Sequence, residues 1–213
     1  MRIVEAEQRS ADWYQARAGL LTGSRADEAH AFLKGGAEAA SRRDYRMELA
    51  IERIIGKPIA SNGFVNAEMQ RGIDLEPAAR ARYEAVTGCF VRQTGFVIGD
   101  DPRTGCSLDG DVDEFTGIIE IKCPKSATHV RYLEGKSLPS DYAMQVRHNL
   151  YVTGAQWCDF ISFDDRLPPG LDWFMVRAFA ADLDLAAYAA KANQFLAEVA
   201  VDVARLNSIR GQA

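Results

Sequence analysis

The segment Gly117-Ile-Ile-Glu-Ile-Lys-Cys-Pro124 constrains this chain most: an apolar run that carries two charges and is stopped by proline. Proline cannot donate to a ladder, so a strand ends there. Side chains alternate faces along a strand, which sets Glu120 and Lys122 on one face and Ile119 and Ile121 toward the core on the other. Charges on a strand of buried type are costly unless paired, and a divalent cation is one such partner. Upstream, Asp109 stands in the Gly-flanked stretch Ser107-Leu-Asp-Gly110 and is followed by Asp111, Asp113 and Glu114. A hairpin returning through Asp113–Gly117 brings Asp109 beside Glu120. Such carboxylates are hard oxygen donors suited to Mg²⁺ or Mn²⁺, and an adjacent lysine, Lys122, can orient a metal-bound water as ammonium or deprotonate it as amine. A Glu-x-Lys triplet among acids is also what a solvated strand edge looks like, so the buried-type strand around it carries the reading.

A chain of 213 residues, 47% hydrophobic and 26% charged, is expected to form one globular domain over 1–213. No run has the length of a membrane span, and Met-Arg-Ile-Val-Glu at the start lacks a signal-peptide stretch, so the expectation is a cytoplasmic protein with no membrane partner. Cys89, Cys106, Cys123 and Cys158 form no Cys-x-x-Cys pair, and His30, His129 and His148 no metal-spaced set, so neither zinc nor an iron–sulfur cluster is indicated. A net charge of −5 argues against a surface coated for nucleic acid and leaves room for a local basic groove.

Periodicity and punctuation predict helices near 10–18, 22–33, 42–56, 66–87, 126–134, 140–153 and 182–208. Strands are predicted near 89–98, 105–110, 116–122, 156–164 and 172–179. The Gly-Ala-rich stretch from Lys34 to Arg43 reads as a mobile loop. That order gives a mixed α/β fold, a central mixed sheet flanked by helices.

Several of these segments together carry a resemblance: Trp13-Tyr-Gln-Ala-Arg17 through Ser24, Thr104-Gly-Cys-Ser-Leu-Asp-Gly110, Ile119-Glu-Ile-Lys-Cys-Pro124, Tyr142-Ala-Met-Gln145-Val and Tyr151-Val-Thr. In order and spacing they resemble the phage lambda exonuclease family of viral recombination nucleases, from about residue 10 to the C-terminus. The resemblance implies a restriction-endonuclease-like core and Mg²⁺-dependent 5′→3′ exonuclease action on linear double-stranded DNA, leaving 3′ overhangs for single-strand annealing. It makes Asp109, Glu120 and the Ile121 carbonyl ligands of two Mg²⁺ ions, with Mn²⁺ a substitute, adds Glu76 as a further acid, and sets Lys122 beside the attacking water. It makes Arg17, Ser24 and Ser107 a 5′-phosphate pocket and Met69 a strand-separating wedge, although a core methionine is the default from residue type alone. Tyr142 and Gln145, one turn apart, line the site, and Arg42 and Arg43 touch backbone phosphates from the mobile loop. A homotrimeric ring and a single-strand annealing partner are implied as well. An endonuclease on the same fold, or a catalytically silent DNA-binding or assembly subunit, are the alternatives.

Overall fold

The computed structural model describes residues 1–59 and 66–212. Its strands form two four-stranded sheets. The first has the order β1 (Arg2–Val4), β3 (Phe96–Ile98), β4 (Thr104–Ser107), β2 (Leu21–Thr22), with only the β2–β4 edge parallel. The second runs β5 (Gly110–Val112), β6 (Gly117–Lys122), β7 (Trp157–Phe163), β8 (Trp173–Phe179), with a parallel β6–β7 pair at its centre. A parallel pair needs a crossover, supplied here by α5 (Ser126–Gly135) and α6 (Ser140–Thr153).

The expected strand over 105–110 is therefore two strands. The chain leaves the first sheet at Ser107 and enters the second at Gly110, with Leu108 and Asp109 at the corner. Their carbonyls have no ladder partner and are taken by side chains, Leu108 O by Gln8 Nε2 at 3.2 Å and Asp109 O by Arg80 Nε at 3.0 Å. This obeys the rule that buried backbone groups find partners somewhere. Gly110 opens β5 without a side chain because a Cβ there would meet Val91 Cγ1 at 2.2 Å.

The expected helix over 22–33 is also replaced. Leu21 and Thr22 pair with Thr104 and Gly105, Gly23–Arg25 make one 3₁₀ turn, and α2 covers only Ala26–Ala29. The Thr22 N–H donates to Tyr45 Oη at 3.2 Å, a tertiary contact that outweighs local helix preference. Helix α1 (Ala11–Arg17) starts at Ser10, whose Oγ accepts from Trp13 N–H at 3.2 Å. Helix α4 (Ala67–Thr87) starts where Asn66 Oδ1 accepts from Met69 N–H at 2.8 Å, and ends at Gly88 in the left-handed conformation. Helices α3 (Ala40–Ile55) and α7 (Leu185–Arg210) pack together through Tyr45, Leu49, Phe195, Leu196 and Val199.

Helix α3 begins at Ala40, so Arg42 lies in its first turn rather than in a mobile loop. Its guanidinium is buried, donating to Ala29 O at 3.0 Å, Glu38 Oε1 at 2.5 Å and Glu198 Oε2 at 2.7 Å. Arg42 joins α3 to α7, and its donors are spent on internal acceptors instead of DNA phosphates. Arg43 remains exposed beside Asp44. No described helix is long and apolar enough to cross a membrane.

Candidate active site

Strand β6 is buried along both faces. Ile119 and Ile121 pack with Ala79 and Tyr83 of α4, while Ile118 packs with Val146 and Leu150 of α6. Glu120, 1% exposed, shares the α6 side with Ile118. The β5–β6 register, Gly110 opposite Ile119, continued by one residue sets Asp109 opposite Glu120. Asp109 Oδ2 accepts the Ile121 N–H at 2.6 Å, which fixes its carboxyl over the strand.

Glu120 is held from three sides. Lys122 Nζ lies 2.5 Å from Oε1, Gln145 Nε2 donates to Oε1 at 2.7 Å, and Asn149 Nδ2 donates to Oε2 at 3.1 Å. Gln145 and Asn149 are one turn apart on α6, so one helix face clamps both oxygens. Tyr142, a turn earlier, sets its ring 5.1 Å from Lys122 Nζ. Glu76 reaches the cluster from α4 and is paired with Arg80 at 2.6 Å. Gly72, Met69 and Tyr142 border the same cleft of about 460 Å³. Met69 is 53% exposed there, so it is not the core methionine its residue type suggests.

The three acids are out of balance with their surroundings. Burial pushes Glu120 up to about 7; Lys122 opposes the shift and Asp109 adds to it. Burial raises Asp109 against the pull of Lys122 and of the Ile121 N–H. Burial and then the Asp109 charge raise Glu76, against Arg80. Burial would lower the Lys122 ammonium, but Glu120 and Asp109 hold it above its ordinary value, so it stays protonated. Among the described residues no three Asp, Glu, His or Cys side chains close on one point at ligand distance. Even so, the donor set fits a hard divalent cation: desolvated carboxylate oxygens that repel one another and that Lys122 and Arg80 only partly compensate.

A second constellation adjoins the first. Arg17 donates to Ser107 Oγ at 3.1 Å, to Ser24 Oγ at 3.3 Å and weakly to Thr22 Oγ1 at 3.5 Å. Its guanidinium stacks 4.1 Å from the Trp13 ring. Ser107 Oγ also accepts from Trp13 Nε1 at 2.9 Å, so its own hydrogen is left to donate. Among the described residues Arg17 has no carboxylate partner, and burial lowers its pKa. A partly buried guanidinium ringed by hydroxyls calls for an external anion. Ser107 and Asp109 are two residues apart in the chain, so the Arg17 constellation and the acids meet at the corner between the sheets.

Residues 12–156 match the YqaJ-like viral recombinase domain family. The chain belongs to that family. No curated protein matches this YqaJ-like chain by sequence. Among solved structures it is similar to an alkaline exonuclease, LHK-Exo, from Laribacter hongkongensis, at 36% identity and a TM-score of 0.83, covering 95% of this chain and 99% of that one. The complex of LHK-Exo with dAMP matches over the same shares with a TM-score of 0.84. A phage-related exonuclease from Haemophilus somnus 129PT shares only 12% identity over 90% of this chain and 96% of its own, with a TM-score of 0.65; this is a likeness of fold. The mixed α/β, restriction-endonuclease-like fold expected from the sequence is thus borne out.

Asn149 and Arg80 were not singled out in the sequence. The helical spacing that marks Gln145 extends to Asn149 one turn on, whereas nothing local marks Arg80 as the partner of Glu76 and of the Asp109 carbonyl.

Proposed function

We propose that this chain is a Mg²⁺-dependent deoxyribonuclease that degrades one strand of linear duplex DNA from a 5′-phosphorylated end. The nuclease class rests on family membership and on 36% identity with an alkaline exonuclease. The polarity is argued from the hydrogen bonds of Arg17 to Ser24 and Ser107, the latter two residues from Asp109 in the chain. A terminal phosphate held by Arg17 and the two hydroxyls leaves the next phosphate at the acid cluster. Water attacks that phosphorus, the bond to the 3′ oxygen of the terminal nucleotide breaks, and the released 5′-mononucleotide carries the new 3′ hydroxyl. The shortened strand again ends in a 5′ phosphate, which returns to Arg17 and the two hydroxyls.

Asp109, Glu120, Glu76 and the Ile121 carbonyl would hold Mg²⁺, which supplies charge to the attacked phosphate and the leaving oxygen. Lys122, kept as an ammonium, donates to and orients the attacking water. Gln145 and Asn149 fix the Glu120 carboxylate, and the Tyr142 ring lies against the Lys122 ammonium. Met69, exposed at the cleft mouth, is suited to wedge between strands, and Arg43 to touch a backbone phosphate. Assembly into a ring of three and delivery of the 3′ overhang to a single-strand annealing protein belong to the same proposal.

The test is the rate on duplexes ending in 5′ phosphate or 5′ hydroxyl. The wild type is expected to prefer the phosphorylated end and Arg17→Ala to lose that preference. Equal wild-type rates on both ends would overturn the polarity argument.

A further inference from the structure

Arg9 bonds to none of the acids, yet it borders both the cleft containing Met69 and Tyr142 and a second cleft, about 450 Å³, beyond Glu76 and Asp109. Three features distinguish it. First, its backbone is left-handed, φ 70°, a conformation that costs a non-glycine residue about 1 kcal/mol or more. The strain is fixed on both sides, by Gln8 tied to the Leu108 carbonyl at 3.2 Å and by Ser10, whose N–H donates to Glu7 O at 3.0 Å before it caps α1. Second, Arg9 is exposed, and among the described residues its guanidinium makes no hydrogen bond and no ion pair. Third, it is ion-paired with none of the acids: Arg80 sits on Glu76 and Lys122 on Glu120. Its charge still reaches the acids, lowering the proton affinity of both Asp109 and Glu76.

We propose that Arg9 is a substrate-binding residue that takes a backbone phosphate of the DNA where the strand passes from one cleft to the other across Asp109. This rests on the reading of the chain as a DNA-degrading enzyme. Glycine would fit the turn better and leave the ion pairs of Glu76 and Glu120 in place, so the strained backbone keeps an unpaired guanidinium at the rim of the acidic cluster. A guanidinium there also offsets the repulsion between the acids and an incoming phosphate.

The test is equilibrium binding of a fluorescent 5′-phosphorylated duplex in EDTA, over a series of KCl concentrations, for wild type, Arg9→Gly, Arg9→Asn and Arg9→Lys. Glycine and asparagine both tolerate positive φ, so the fold is kept or stabilised, as thermal melting will report. Loss of one phosphate contact reduces the slope of log K against log salt by about 0.9. That reduction is expected for Arg9→Gly and Arg9→Asn, with the wild-type slope kept by Arg9→Lys. Wild-type slopes in the glycine and asparagine variants would overturn the assignment of Arg9 alone. A wild-type protein without salt-dependent DNA binding would overturn the underlying reading, and the assignment with it.

Discussion

Glu120 shows what one residue costs and what holds it. It is nearly inaccessible to solvent, and four groups fill its surroundings: Lys122, Gln145, Asn149 and the Asp109 charge. Removing Asn149 leaves Oε2 without its neutral donor. Asn149→Ala is therefore expected to lower the affinity for Mn²⁺ by about 10- to 100-fold, measured by titration calorimetry, whereas a merely structural role would lower the melting temperature and leave the affinity unchanged. Metal binding at these carboxylates is expected to depend on pH with a definite sign. Because the folded Glu120 carboxyl is raised to about 7, the contribution of Glu120 to metal-free stability is fullest below the unfolded carboxyl pKa and declines as pH rises toward 7. Mg²⁺ is expected to raise the melting temperature more at pH 8 than at pH 5.5, and Asp109→Ala to remove that increment. An equal increment at both pH values would contradict the carboxylate-cluster account.

At the scale of elements, legibility followed periodicity. Strand β6 could be read because alternating isoleucines and a terminal proline are local signals, and α4 because Asn66 and Gly88 bracket it. The corner at Leu108–Asp109 could not, since a strand that changes sheets keeps its period while its partners change. Arg42 misled for a related reason: its partner Glu198 is 156 positions away, and a Gly-Ala-rich approach to a helix looks like a loop. The grouping of Arg17 with Ser24 and Ser107 was legible only through resemblance, because Arg17 and Ser107 share no local pattern. The β5–β6 turn carries three consecutive left-handed residues, Asp113, Glu114 and Phe115, with φ of 49°, 52° and 69°. Glu114, exposed in that turn, is expected to gain about 1 kcal/mol as Glu114→Gly, read by urea denaturation; a loss of similar size would show that the turn is not strained.

The described molecule reads as two sheets joined at the Leu108–Asp109 corner and by the Arg92–Asp111 bridge, with Asp109 at the joint and α6 packed across it. Helix α6 serves both halves: Gln145 and Asn149 face Glu120, while His148 binds the other side. There His148 Nε2–H donates to Gly105 O at 2.9 Å, and Nδ1 accepts from Tyr188 Oη at 2.7 Å. Burial pushes this imidazole down to about 4. An unfolded histidine takes its proton near 6.5, so the contribution of His148 is complete above that value and is lost as pH falls toward 4. The loss is about 1.4 kcal/mol per pH unit within the window, and His148→Gln is expected to flatten the acid limb of the stability curve.

The most direct measurement is digestion, with Mg²⁺, of linear duplexes labelled at the 5′ end or internally, alongside closed circular DNA, by wild type and Asp109→Ala. Release of labelled 5′-mononucleotide from phosphorylated linear ends only, with circles intact and the variant inactive, is the expected result. Nicking of the circle, or undiminished cleavage by Asp109→Ala, would contradict an end-dependent exonuclease built on these carboxylates.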